Sequence, residues 1–138
     1  MEWKLQLVRE LTVEIEAFLS ETYDCKQFTY YQKRPFQKIL THEYCIIIVN
    51  DEGVIGGYGH LDFEKHVWLG IYIGEQFRGK GLSKIILSDL LINGKKLGLD
   101  FIHLSVYKSN KIAIEAYNKI GFNAYKEDEN SYYMKIEL

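Results

Sequence analysis

Proline, cysteine and long apolar runs are all scarce in this sequence of 138 residues. Pro35 is the single proline, and the two cysteines, Cys25 and Cys45, do not have the spacing of a CxxC pair or a metal-binding motif. The apolar run CIIIV, residues 45–49, is far too short to cross a bilayer, and the first ten residues lack the continuous apolar stretch of a signal peptide. We therefore predict reduced thiols, a cytoplasmic location, and neither a membrane partner nor a bound metal.

Neither sign of charge is in large excess. The 17 Lys and Arg residues stand against 19 Asp and Glu residues, which gives a formal net charge of -2 at pH 7. Such a chain has no overall positive field to hold a polyanion, so we do not expect nucleic acid as a partner. The length and the 47% of hydrophobic residues fit one globular domain without linkers or repeats, which predicts a single domain over residues 1–138.

Periodic patterns along the chain predict a mixed α/β order. Apolar residues alternate at 3–7, as in a half-buried strand, and recur at helical spacing at 11–19, with Thr12 as a candidate N-cap. A short helix is expected at 36–41, after the proline. Residues 44–49, 54–63 and 66–73 are typical of three strands in an antiparallel meander. A long helix from 82 to about 97, a strand at 101–106, a helix at 111–120 and a final hairpin follow, and the crossover between 67 and 106 predicts one parallel pair.

The stretch EQFRGKGLSK, residues 75–84, predicts a phosphate-binding turn. Gly79 and Gly81 can adopt positive φ, and the helix that follows offers unpaired N–H groups and the positive end of its dipole. A Walker A loop is disfavoured because Gly81 stands where the magnesium-binding Ser or Thr is required. A dinucleotide-binding fingerprint is disfavoured because Lys84 stands where GxGxxG requires the third glycine. The remaining alternative to a phosphate site is a basic surface turn that only caps a helix.

Two motifs in this part of the chain resemble those of the GNAT N-acetyltransferase superfamily. The run VWLGIYIGEQFRGKGLSKIIL, residues 67–87, is similar to the family's Q/R-x-x-G-x-G/A motif, with Arg78 and Gly81 in place and Ser83 at the last position. NKIAIEAYNKIGF, residues 110–122, is similar to the second family motif. The resemblance implies an α/β (α+β) fold, with a mixed, centrally splayed sheet of about seven strands and about four helices.

The resemblance also implies acetyl-CoA as the co-substrate. The backbone of residues 71–73 would pair with its pantetheine arm, the turn would hold its pyrophosphate, and Tyr117 would act as the general acid. The implied acetyl-CoA-binding residues are Ile71, Tyr72, Ile73, Arg78, Gly79, Lys80, Gly81, Leu82, Ser83, Lys84, Asn110, Ala113 and Tyr117.

The general base is less evident, because Ser105, Val67 and Leu69 stand where many members of this family carry a Glu. If residues 64 and 65 form the hairpin tip, His60 lies opposite Leu69 and Asp62 opposite Val67, on the side expected for the base. We therefore predict His60 as the base or an acceptor contact and Asp62 as an amine contact. The alternative is a structural histidine in the sheet. The remaining histidines are a reserve candidate, His103, and two expected at the surface, His42 and His66.

Residues 21–36 are rich in aromatic side chains and fall where the family places its acceptor loop. We expect Tyr30 and Tyr31 to contact the acceptor, since aromatic rings stack on sugar faces while their hydroxyls form hydrogen bonds. The sequence thus predicts a small-molecule amine acceptor, with a nucleotide-linked amino sugar as the candidate, and a homodimer as the candidate assembly. The alternatives are a protein or peptide N-acetyltransferase and a non-catalytic acetyl-CoA-binding module.

Overall fold

The computed structural model describes residues 2–138, which form one mixed sheet flanked by helices on both faces. The strands are β1 (Trp3–Leu7), β2 (Tyr44–Asn50), β3 (Ile55–Glu64), β4 (His66–Ile73), β5 (Phe101–Tyr107), β6 (Asn123–Glu127) and β7 (Ser131–Glu137). The α-helices are α1 (Val13–Leu19), α2 (Leu82–Lys96) and α3 (Lys111–Ile120), and shorter 3-10 helices lie at Ser20–Thr22, Tyr30–Gln32, Phe36–Thr41 and Glu75–Phe77. The predicted order of strands and long helices is confirmed.

The sheet divides at its centre. Its strand order is β1-β2-β3-β4-β5-β7-β6, and β4 and β5 form the predicted parallel pair. These two strands are joined by a single bridging pair, Trp68 with His103, whereas every residue of β4 pairs with a residue of β3. Beyond Trp68 the two strands therefore diverge, which is the splayed sheet that the family resemblance implies.

The helix boundaries follow from local capping. The Thr12 hydroxyl accepts a hydrogen bond from the Ile15 amide at 3.1 Å and so begins α1, as predicted. The Asn110 side chain accepts one from the Ala113 amide at 3.3 Å and begins α3. Glycine in the left-handed region ends α2, at Gly98 with a φ of 82°.

The predicted register of β3 against β4 is wrong by one residue. His60 lies opposite Gly70 and Asp62 opposite Trp68, rather than opposite Leu69 and Val67. The cause is the turn: Lys65 alone reverses the chain with a φ of 66°, so that Glu64 pairs directly with His66. A lysine with positive φ is uncommon, and no pattern in the sequence indicates it.

Two apolar clusters cover the two faces of the sheet. One cluster joins α2, the apolar face of α3 and strand residues such as Leu61, Leu69 and Leu104. The other joins α1 and the segment at residues 20–41 to Cys45, Tyr58 and Tyr72. The aromatic segment thus packs on one face of the central strands, next to the point where β4 and β5 diverge.

None of the helices within residues 2–138 is both long enough and apolar enough to cross a bilayer. Cys25 and Cys45 are both free thiols, and burial raises the pKa of the Cys45 thiol to about 12.

Candidate functional site

A cavity of about 490 Å³ opens between the diverging strands β4 and β5. Its walls come from the aromatic segment, from β3, from the facing parts of the two diverging strands and from the start of α3. The predicted site residues that line it are Tyr30, His60, Asp62, Ile71, Asn110, Ala113 and Tyr117. The fold therefore brings the predicted acid, the predicted base and part of the acceptor loop to one cavity.

The glycine turn lies at the start of α2, next to the end of β4. Gly79 and Gly81 have φ angles of 78° and 79°, and no heavy atom lies within 4 Å of the place where a Cβ would stand on either. Gly81 is the N-cap of α2 and provides no side-chain cap, so the first-turn amides of α2 have no capping side chain. Positive φ, free amides and open space suit a bound diphosphate.

The turn also carries the expected positive charge. Arg78 and Lys80 are exposed beside Gly79 and Gly81, and Lys84 is exposed in the first turn of α2. The Arg78 guanidinium donates from Nε to the Ile73 carbonyl at 3.2 Å, which holds the arginine against the end of β4. Ser83 is exposed as well, so its hydroxyl is available to a ligand.

Two of the predicted cofactor residues have side chains committed to the core. Tyr72 is 5% exposed and packs against the Phe18 and Phe28 rings, and Leu82 is 2% exposed under the sheet. Their contribution to ligand binding is limited to backbone groups. Ile73 is half-buried and packs at the edge of the same core as Leu82.

Tyr117 projects from α3 into the cavity. Its ring contacts Phe122 edge-on with the centroids 5.6 Å apart, and the Asn110 cap, about two turns earlier, fixes the start of its helix. Burial raises the pKa of the Tyr117 hydroxyl to about 12. The phenol is therefore protonated at neutral pH and has a proton to donate.

His60 is buried in the wall of the cavity, with 2% of its surface exposed. Its Nδ1 lies 2.8 Å from the Tyr58 hydroxyl, and its Nε2 would stand 2.5 Å from a Cβ added to Gly70. Only glycine at position 70 leaves room for this ring against β4. Burial, helped by the nearby His42 and Arg34, holds the pKa of His60 well below its usual range, so the ring is neutral at pH 7.

Asp62 anchors the aromatic segment to the sheet. Its Oδ2 accepts a hydrogen bond from the Tyr30 hydroxyl at 2.6 Å, and its Oδ1 lies 3.0 Å from His42 Nδ1. Burial alone would raise the pKa of Asp62, but the hydrogen bonds from Tyr30 and His42 outweigh it and hold the pKa below its usual value. Asp62 is a carboxylate at neutral pH.

The prediction that His42 lies at the surface is wrong. Its side chain is fully buried between Asp62 and Tyr31, and burial lowers the pKa of the ring despite the adjacent carboxylate. Tyr31, expected to contact the acceptor, is 1% exposed and lies behind the cavity wall, where its hydroxyl meets that of Tyr58. The sequence indicates that Tyr58 projects on the same face of β3 as His60, because the two residues are two positions apart on one strand. No pattern indicates where His42 lies, since it precedes β2 in a segment without periodicity.

Polar and charged side chains complete the cavity wall. Ser105 faces it from β5, and Glu64 and Arg34 form an ion pair at 3.4 Å on its rim. His103 is instead stacked on His66, with ring centroids 4.3 Å apart, and its Nδ1 lies 2.9 Å from the Tyr125 hydroxyl. Within residues 2–138 there is no cluster of three or more His, Cys, Asp or Glu side chains able to hold a metal ion.

Comparison with known proteins gives a consistent result. The sequence profile described as the acetyltransferase (GNAT) family matches residues 8–122. An uncharacterised N-acetyltransferase of Bacillus subtilis, YdgE, is 28% identical over 110 residues, which are 74% of this chain and 69% of that protein.

Solved structures show the same fold at low sequence identity. A GNAT-family acetyltransferase from Streptococcus pneumoniae superposes with a TM-score of 0.81 and 19% identity, covering 99% of this chain and 100% of that one. A phosphinothricin acetyltransferase from Sinorhizobium meliloti, solved in complex with acetyl-CoA, superposes with a TM-score of 0.82 and 17% identity, covering 100% and 89%.

Proposed function

Because the chain belongs to the acetyltransferase (GNAT) family and is an acetyl-CoA-dependent N-acetyltransferase, we propose that its acceptor is the primary amine of a small molecule. One observation carries this proposal. The cavity of about 490 Å³ between β4 and β5 connects the β4 backbone to a wall of aromatic and polar side chains, and a volume of this order suits a small ligand.

Acetyl-CoA supplies the acetyl group, as a thioester, when it is bound. The residues present suit it, because the turn at Gly79 and Gly81 offers amides and space for a diphosphate at the start of α2. The β4 backbone at Ile71 borders the cavity on the side where β4 leaves β5. Its peptide groups there suit an extended pantetheine arm and the stabilisation of negative charge on the acetyl oxygen.

His60 and Tyr117 supply opposite proton chemistry at this cavity. The neutral His60 ring can accept the proton that an amine loses as it attacks, and the Tyr117 phenol can donate a proton to the departing sulfur. Asp62, ionised beside Tyr30, attracts a cationic amine to the same wall. These assignments make the reaction a direct transfer within a ternary complex.

The acceptor side of the cavity favours a polar ring. Tyr30 and Trp68 present aromatic surface there, and Arg34 lies over the Tyr30 ring with 4.2 Å between its guanidinium carbon and the ring centroid. Aromatic faces stack on sugars, and a guanidinium pairs with phosphate. A nucleotide-linked amino sugar combines both groups, so we propose this class of acceptor.

Calorimetry and an acceptor panel test the proposal. The folded chain is titrated with acetyl-CoA, and turnover is then measured with free amino sugars, nucleotide-linked amino sugars and short peptides with a free N-terminus. We expect acetyl-CoA to bind and a nucleotide-linked amino sugar to be acetylated fastest. Absence of acetyl-CoA binding would refute the proposed catalytic site, and faster turnover of peptides would replace the small-molecule acceptor with a protein substrate.

A further inference from the structure

Four hydrogen bonds connect Asp62 to His60 through buried side chains that do not face the cavity. Asp62 Oδ1 meets His42 Nδ1 at 3.0 Å, and His42 Nε2 meets the Tyr31 hydroxyl at 2.9 Å. The Tyr31 and Tyr58 hydroxyls are 2.6 Å apart, and the Tyr58 hydroxyl meets His60 Nδ1 at 2.8 Å. We call His42, Tyr31 and Tyr58 the relay, because they join two residues that both line the cavity.

The relay has a defined direction. The Asp62 carboxylate can only accept, so His42 carries its hydrogen on Nδ1 and its Nε2 accepts from Tyr31. Each hydroxyl has one hydrogen, so Tyr58 donates to Tyr31, and the Tyr58 oxygen accepts from His60 Nδ1–H. The same reasoning leaves the lone pair of His60 on Nε2. That nitrogen lies against Gly70 in the cavity wall, where a reacting amine would be placed.

We propose that the relay removes the acceptor's proton from His60 and stores it as a His42 imidazolium paired with Asp62. This proposal rests on the proposed function. The amine N–H breaks as His60 Nε2–H forms. His60 Nδ1 then gives its hydrogen to Tyr58, Tyr58 gives its own to Tyr31, and Tyr31 gives its own to His42 Nε2. One proton enters, one positive charge appears on His42, and His60 ends neutral. The steps reverse when the proton returns to solvent through the cavity.

The surroundings of the two rings favour His42 as the place for the charge. The centroids of the His42 and His60 rings are 4.3 Å apart. Like charges at this distance repel, so the two rings are not both protonated at once. His42 has the Asp62 carboxylate as a direct partner, whereas His60 faces Tyr58 on its own strand, Tyr30 and Arg34 of the aromatic segment, and the glycine of β4. The carboxylate opposes the fall in the pKa of His42, and no carboxylate does so at His60.

The first test needs no substrate. Ring-nitrogen NMR of the protein without ligand, at about pH 8, should show both His42 and His60 with hydrogen on Nδ1 and none on Nε2. As the pH is lowered, one shared transition should protonate His42 fully and move the His60 hydrogen to Nε2. Hydrogen on His60 Nε2 at about pH 8, or separate transitions for the two rings, would overturn the relay.

The second test interrupts the relay at its centre. Tyr31→Phe should uncouple the two NMR transitions and lower kcat about tenfold or more, while the affinity for acetyl-CoA stays unchanged. Tyr44→Phe is the matched control. It removes a tyrosine hydroxyl that lies outside the relay and donates a hydrogen bond of 2.7 Å to Asp89. An unchanged kcat with coupled transitions in Tyr31→Phe would overturn the proposal.

Failure of the relay can be distinguished from failure of the proposed function. If the wild-type chain does not bind acetyl-CoA, the proposed function fails while the NMR experiment still tests the relay. If it binds and turns over but Tyr31→Phe behaves like Tyr44→Phe, the relay alone fails. Should Tyr31→Phe not fold, the wild-type ring titration decides by itself.

Discussion

The Tyr30 hydroxyl donates to Asp62 Oδ2 at 2.6 Å, across 32 positions of the sequence. This contact joins the aromatic segment to β3 at the wall of the cavity, where Arg34 also lies over the Tyr30 ring. The segment has little regular structure of its own, since only short 3-10 helices lie between α1 and β2. Its position next to the cavity therefore depends on side-chain contacts of this kind.

Removing that hydroxyl should loosen the segment. Tyr30→Phe leaves one oxygen of a partly buried carboxylate without its donor, and we expect the free energy of unfolding to fall by about 1.5 to 3 kcal/mol. The KM for the acceptor should rise more than the KM for acetyl-CoA. Chemical denaturation and steady-state kinetics measure both effects. Tyr23→Phe is the control in the same segment, because Tyr23 is 59% exposed.

Gly81→Val should abolish acetyl-CoA binding while the protein remains folded. Valine at a φ of 79° is strained by about 1 to 3 kcal/mol, and the added side chain would stand in the open space where the diphosphate is proposed to bind. Gly53→Val is a matched control, since Gly53 has the same φ and equally open surroundings in the turn between β2 and β3. Calorimetry with acetyl-CoA compares the two variants, and equal affinities would rule out the turn as the diphosphate site.

Tyr117→Phe should lower kcat by about a hundredfold with little change in acetyl-CoA affinity, because only the donated proton is lost. In the wild type, the pKa of about 12 keeps this phenol protonated across the working pH range. Tyr132→Phe serves as the control, as Tyr132 packs against the same apolar cluster. Full activity in Tyr117→Phe would reduce this residue to a packing role.

Acid should destabilise the protein below about pH 6.5. Burial lowers the pKa of His42 and His60 in the folded state, so the unfolded chain binds more protons as the pH falls below the usual histidine value. His103, also with a lowered pKa, adds to the effect. The stabilisation that these neutral histidines contribute is therefore complete above about pH 6.5. It decreases toward lower pH, by at most about 1.4 kcal/mol per pH unit for each histidine.

Chemical denaturation at several pH values measures this slope. His60→Gln contains one buried imidazole fewer, so its stability should depend less steeply on pH than that of the wild type. The Asp62 carboxylate does not contribute in the same window. Its pKa is lowered from about 3.8, so its stabilisation is lost only as the pH falls through still lower values. Identical slopes in the two proteins would show that His60 does not titrate on unfolding.

Local patterns sufficed for much of the fold. Alternation placed β1, helical spacing and Thr12 placed α1, and glycine marked the end of α2. These features are local, because each depends on residues within a few positions of one another. The parallel pairing of β4 with β5 followed from the order of elements, and the glycine turn followed from its composition.

The finer geometry of the site depends on contacts between residues that are far apart in the sequence. The register of β3 against β4 depends on one lysine with positive φ, which no propensity favours. His42 is buried because the aromatic segment packs onto β3, so its environment is set by partners such as Asp62, 20 positions away. Tyr31 was assigned to the acceptor, but the fold turns it toward the core, where Tyr30 and Tyr31 have different neighbours.

The two thiols make the aromatic segment accessible to spectroscopy. Cys45 is 5% exposed and keeps its proton because its pKa is about 12, whereas Cys25 is half-buried within the aromatic segment. Because Cys25 is the more accessible of the two thiols, we expect a maleimide dye to attach to it without mutagenesis. Its emission then reports directly on the neighbouring stretch that includes Gln27 and Phe28, so occupancy of the cavity can be followed in real time before any acceptor is identified.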